Sequence, residues 1–211
     1  MVIAAQIQQG GVASRAGNLY DAIVGRRLSR EVLNFGFAGN GHDDIGVAKH
    51  LVTLNAAAMV LDCLPNMNAA SVAAKTVPLV NYLRAHGHAT TPIVLAEIPP
   101  TTCEDSWFNL ASLQKNADMN AALHTACKIV MLSRLVVLSI SLTLESITIT
   151  DQNLTRAGDT ALHYVRGSQI LAPQEGAGQW VNPTVGGTHP SDLGQYWMAD
   201  FWAGYLPTVV G

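Results

Sequence analysis

Five short apolar runs, each followed by a stretch with helical spacing, constrain this chain more than any other feature. The runs are residues 2–7, 31–37, 57–64, 92–98 and 162–165, and they end at Gly10-Gly11, the Gly36 to Gly41 loop, Pro65-Asn66, Pro99-Pro100 and Arg166-Gly167. Runs of that length bounded by turn residues read as strands. Between and after them, residues 18–28, 43–53, 72–86, 112–128 and 195–205 read as helices; in the first, Leu19, Ile23, Val24 and Leu28 fall on one face. The run at 57–64 is apolar at nearly every position, which suits a strand covered on both faces. Strand and helix therefore alternate, and the expected fold is α/β: a three-layer sandwich around a central parallel sheet.

A sheet of this kind gathers ligands beyond the C-terminal ends of its strands. Four loops belong at that edge: residues 6–11, 36–41, 65–68 and the His189 loop. Pro190 keeps Thr188-His189 out of a helix, so the imidazole sits on a loop just ahead of the last helix. The edge thus collects a backbone amide at Gly39, a carboxamide at Asn66 and an imidazole at His189. Two oxyanion donors and a general base are what acyl transfer requires, apart from a nucleophile. Each residue also has a plainer use. The glycines can serve the turn, Asn66 after Pro65 suits any turn, and a histidine before proline is often only a loop residue.

At 211 residues, 49% hydrophobic and 13% charged, the chain is expected to form one domain with a generous core. A net charge of -3 offers no basic face for nucleic acid and no polybasic membrane anchor. Three cysteines without a CxxC pair point to neither a disulfide framework nor a metal site, and no cofactor motif is present. Residues 1–7 lack the cationic start and the length of a signal peptide, so a cytoplasmic location is the default expectation. The apolar stretch 129–149 is interrupted by Arg134 and Glu145, and no membrane span is expected there.

Three motifs, in order, carry a family resemblance. Asn34-Phe35-Gly36-Phe37-Ala38-Gly39-Asn40-Gly41, then Val60-Leu61-Asp62-Cys63-Leu64-Pro65-Asn66-Met67, then Gly186-Gly187-Thr188-His189-Pro190-Ser191-Asp192-Leu193-Gly194 resemble the second, third and fifth blocks of the SGNH (GDSL-like) hydrolases, in the GDSL-like lipase/acylhydrolase branch. Residues 10–20 are similar to the segment that follows that family's nucleophile. The resemblance implies a flavodoxin-like, cofactor-free esterase working through a serine acyl-enzyme on a small ester, an acylated carbohydrate or lipid. It makes Gly39 N–H and the Asn66 side chain the oxyanion hole and His189 the base.

Two positions depart from the family pattern. Gln6 stands where the serine nucleophile belongs, and a carboxamide does not attack esters; losing a triad serine costs on the order of a million-fold. Gly186 stands where the family has the aspartate that orients the histidine. Asp192 is the candidate substitute acid, although its position also suits a cap for the last helix, and Ser14 is the nearest substitute nucleophile. Residues 129–151 match nothing in the family pattern and form an atypical apolar insert within a single domain spanning 1–211. A wrong first exon ending near Gln8 and a read-through segment from about Lys128 to Asp151 would account for both oddities. The expected chain is an esterase by descent with little or no activity as written. Its alternatives are an inactive acyl- or carbohydrate-binding relative and an unstable product of wrongly joined exons.

Overall fold

Both faces of the central strands are apolar, and that dictates helices on either side. A computed structural model of the chain describes residues 2–4, 10–99, 110–136, 159–171 and 183–210. The strands are β1 (Val2–Ala4), β2 (Leu33–Asn34), β3 (Met59–Leu61), β4 (Ile93–Ala96) and β5 (Leu162–Val165), with α1 (Tyr20–Leu28), α2 (Ile45–Leu51), α3 (Ala69–Ala85) and α4 (Leu110–Val136) between them. A short α5 (Gly167–Ile170), a hairpin of β6 (Thr184–Val185) and β7 (His189–Pro190), and helices α6 (Asp192–Tyr205) and α7 (Pro207–Val210) complete the order.

The sheet runs β2-β1-β3-β4-β5 and every pairing is parallel, in register through Val2↔Met59, Met59↔Ile93 and Ile93↔Leu162. This is the three-layer α/β sandwich expected. Strand periodicity divides the core in two. Met59, Leu61, Ile93, Leu95 and Leu162 face α2, α3 and α4, where they meet Leu51, Leu79, Leu83 and Leu123. Val60, Val94, Ala96 and Val165 face α1 and α6, where they meet Tyr20, Val24, Met198 and Trp202. The strand order reverses at β1, so the switch point lies between the loops after β1 and β3.

Three elements differ from expectation. β2 stops at Asn34, because the Asn34 side chain accepts the Gly36 N–H at 2.7 Å and turns the chain out of the ladder. β3 gives way at Cys63, whose helical dihedrals begin a 3₁₀ turn over Leu64–Asn66. α4 does not stop near Lys128 but runs on to Val136, with Val130 and Met131 buried in the core, so the start of the apolar insert is built into the domain. Among the described residues no helix is long and apolar enough to cross a membrane.

Candidate active site

The C-terminal edge of the sheet holds the loops singled out in the sequence. After β2 the chain makes a turn in which Asn40 N–H reaches the Phe37 carbonyl at 2.9 Å and the Asn40 amide reaches the Ala38 carbonyl at 3.1 Å. Gly39 sits in this turn at φ +70, a conformation that favours glycine. Two side chains fasten the end of the loop to α3. Asp44 meets Lys75 at 2.8 Å, and buried Asp43 accepts the Thr76 hydroxyl at 2.7 Å. The helix expected over residues 43–53 would open with both acids. Asp44 is indeed the residue preceding α2, whereas Asp43 turns inward at φ +54. Burial raises the Asp43 carboxyl above its ordinary value, against the Thr76 hydrogen bond that lowers it.

Asn66 closes the 3₁₀ turn after β3, held by its N–H to the Cys63 carbonyl at 3.1 Å. Asn68 then starts α3 with a full capping box: Ser71 N–H to Asn68 Oδ1 at 2.9 Å and Asn68 N–H to Ser71 Oγ at 3.0 Å. Asn66 is thereby fixed between two rigid pieces, and its Nδ2 is buried without a hydrogen-bond partner. A buried amide donor left unpaired costs about 1–3 kcal/mol unless a ligand oxygen takes it. Cys63 offers no substitute nucleophile, since burial, followed by the Asp43 charge, pushes its thiol well above the ordinary 9.0. Cys63 and Cys127 are buried; Cys103 lies outside the described residues.

His189 lies on β7, paired across the hairpin with Val185. The loop expected here is thus a tight hairpin, turned by Gly186 at φ +61 and Gly187 at φ +75. The hairpin rests on the first turn of α6: Ser191 N–H donates to the Pro183 carbonyl at 2.8 Å, and a Cβ on Gly194 would come within 2.2 Å of that carbonyl oxygen. Ser191, not Asp192, caps α6. The Asp192 carboxylate points elsewhere. It accepts the Ser14 hydroxyl at 2.5 Å, the Ser14 N–H at 2.8 Å and the Asn18 amide at 3.0 Å, and the Ser14 hydrogen bonds hold its pKa below the usual value. The two candidate substitutes, Ser14 and Asp192, therefore meet each other, and no hydrogen bond joins Asp192 to His189. Gln6 lies outside the described residues.

A cavity of about 30 Å³ lies under the Gly39 turn, lined by Phe35, Phe37, Leu61, Leu79, Asp43 and Cys63. Among the described residues no group of three or more His, Cys, Asp or Glu side chains converges in a way that could hold a metal ion. A polar cluster that the sequence did not signal stands at the ends of β4 and β5. The Tyr164 hydroxyl donates to Glu97 Oε1, and the Gly167 N–H donates to Glu97 Oε2 at 3.0 Å.

Residues 1–141 match the GDSL-like Lipase/Acylhydrolase family, a span that includes the Gly39 and Asn66 motifs. The chain belongs to that family. Its fold is that of solved GDSL-type hydrolases. A protein from Bacteroides ovatus assigned as a GDSL-like lipase is 25% identical at a TM-score of 0.72, over 99% of this chain and 52% of its own. The salicylyl-acyltransferase SsfX3 of a tetracycline biosynthetic pathway is 20% identical at 0.69, over 98% of this chain and 54% of its own. A two-domain esterase active on acetylated mannans is 14% identical at 0.57, over 99% and 49%. This chain spans about half the length of these three proteins. Among curated proteins none matches it.

Proposed function

We propose that this domain is built for carboxylic ester hydrolysis, removing a small acyl group from a carbohydrate or lipid alcohol. The Asn66 side chain and the Gly39 amide would receive the oxyanion, and His189 would serve as base. The observation that carries the reading is the buried, unpartnered Asn66 Nδ2, on a doubly fixed turn at the sheet edge where such a fold works. In this chemistry a serine at position 6 attacks the carbonyl carbon and yields its proton to His189. The tetrahedral oxygen takes its negative charge onto the two donors. Collapse expels the alcohol, which leaves with the proton held by His189, and water repeats the cycle on the acyl-enzyme.

Gln6 interrupts that cycle at its first step, because an amide nitrogen has its lone pair delocalised and forms no acyl-enzyme under these conditions. The chain as written accordingly has little or no hydrolytic activity. A second reading, a binding protein that keeps the cleft without turnover, is favoured by one observation. Ser14, the nearest alternative hydroxyl, is spent on Asp192, and an aspartate of lowered pKa is a poor base.

Hydrolysis of p-nitrophenyl acetate separates the two. The Gln6→Ser variant is expected to gain activity over the natural chain, to lose it with His189→Ala added, and to lose about a hundred- to a thousandfold of it with Asn66→Ala. A folded Gln6→Ser variant with no activity would leave the binding reading in front. Activity in the natural chain that survives at Gln6 but vanishes with Ser14→Ala would move the nucleophile to Ser14.

A further inference from the structure

The opposite edge of the sheet holds a second opening. Leu28, Val32, Ala57, Leu206 and Val210 wall an apolar cavity of about 230 Å³, and Arg30 is the one charged side chain among its described lining residues. Val32 and Ala57 precede β2 and β3, so the cavity lies at the N-terminal ends of strands whose C-terminal ends carry the Gly39 and Asn66 loops. We infer that it is a binding site, separate from the candidate catalytic cleft, for a medium-chain alkyl carboxylate. The inference rests on this cavity and not on the ester-hydrolase reading.

The walls choose the tail. Apart from Arg30 the lining side chains form no hydrogen bonds, so a sugar or a nucleotide would give up water there without return. An alkyl chain gives up nothing and takes apolar surface out of water. An apolar cavity of about 150 Å³ takes up benzene, so 230 Å³ holds a tail of roughly six to nine carbons.

Arg30 chooses the head group. Three arginines stand at the end of α1. Arg27 pairs with Asp200 at 2.9 Å, and Arg26 donates to the Gly17 carbonyl at 2.7 Å. Arg30 is exposed, and among the described residues its guanidinium has no hydrogen-bond or ion-pair partner. An arginine stem packs along apolar surface while its head stays wet, which places the charge at the mouth. A carboxylate meets a guanidinium through two parallel charged hydrogen bonds, whereas an alcohol offers one neutral oxygen and an ammonium is repelled.

The site is also preformed. The Arg30 N–H reaches the Gly25 carbonyl at 3.0 Å and the Ser29 N–H reaches the Arg26 carbonyl at 3.4 Å, with Ser29 at φ +51. This is a Schellman turn, and it fixes the Arg30 backbone at the end of α1. Across the cavity Pro207 has no N–H with which to continue α6. The Val209 and Val210 N–H groups close α7 on the Leu206 carbonyl at 3.1 and 3.2 Å. Both sides of the cavity stand on fixed backbone, which leaves a ligand little ordering to impose.

Amide NMR of the full chain, titrated with butanoate, hexanoate, octanoate, 1-hexanol and hexylammonium, tests this without turnover. Octanoate is expected to shift the amides of Leu28, Arg30, Val32, Ala57 and Leu206 with a Kd of about 1 mM. Affinity should rise about fourfold per methylene from butanoate to octanoate, as burial of each CH₂ dictates. Hexanoate should bind at least about fivefold more tightly than 1-hexanol, the worth of a charged hydrogen bond. Arg30→Gln, a change at an exposed side chain, should weaken octanoate by at least about the same fivefold and leave 1-hexanol unchanged. Ala57→Phe, which fills the cavity from its rim, should weaken both. The site is overturned if octanoate at about 10 mM, ten times the expected Kd, moves none of those amides. It is equally overturned if 1-hexanol or hexylammonium binds as tightly as hexanoate, or if either variant binds octanoate as the natural chain does. Octanoate shifts confined to Asn66 and His189 also overturn it, because they place the ligand in the catalytic cleft. Hydrolysis of p-nitrophenyl acetate by Gln6→Ser decides the ester reading separately, whichever way octanoate behaves.

Discussion

Gly186 stands at φ +61 with nothing within 4 Å of where a Cβ would lie, so a side chain there meets strain but no obstacle. Aspartate is among the few residues that visit this region, at a cost of about 1 kcal/mol or a little more. In the Gln6→Ser background, Gly186→Asp is expected to raise p-nitrophenyl acetate turnover at least about tenfold, because an orienting acid fixes the tautomer of the base. Its unfolding free energy, read from urea denaturation, should fall by about that 1 kcal/mol. Unchanged turnover would mean that another group already orients His189. Gly39, Asn66 and His189 could be picked out of the sequence because each stands in a short loop marked by glycine or proline. The Ser14 to Asp192 contact spans 178 residues, and nothing local in either segment announces it. Asp43 was hidden for a different reason: two adjacent acids look alike in a sequence, and only the left-handed backbone at Asp43 sends one of them inside.

Among the elements, α4 decides what the apolar segment is. Its helix continues past Lys128, and Met131 is 2% exposed within the cluster that packs on β3, β4 and β5. Met131→Ala should therefore cost about 2–4 kcal/mol, partly transfer energy and partly the cavity left behind, read from urea unfolding. A change of under about 0.5 kcal/mol, the range of surface substitutions, would mean that the chain beyond Lys128 contributes nothing to the folded domain, as a read-through segment would. The order of elements was legible because β3 and β4 are apolar on both faces and the intervening stretches keep helical spacing. Their ends were not. A side chain, Asn34, stops β2, and α4 outlasts its expected limit because its burial against α3 and the sheet decides the matter where composition alone gave no boundary.

For the molecule as a whole, two carboxylates pull stability in opposite directions with pH. Asp43 is raised above 3.8 by burial, so the folded state holds its proton more tightly than the unfolded chain does. Its contribution is complete below 3.8 and is lost as pH rises through the folded value. Asp192 is lowered from 3.8 by its Ser14 hydrogen bonds, so its contribution is present above 3.8 and is lost as pH falls. The Asp43 contribution should therefore make the natural chain lose stability as pH rises from 3.8 through its folded value, with a slope for one proton of no more than about 1.4 kcal/mol per pH unit. Asp43→Asn keeps an acceptor for the Thr76 hydroxyl and removes the charge. Urea midpoints at the acid and alkaline ends of a pH series should differ less in this variant than in the natural chain. Because Asp43 anchors the end of the loop that carries Gly39, the same substitution tightens the candidate oxyanion turn at the higher pH. A variant whose midpoints track the natural chain at both ends would show that Asp43 ionises at no cost to the fold, and that the loop is held by Asp44 and Lys75 instead.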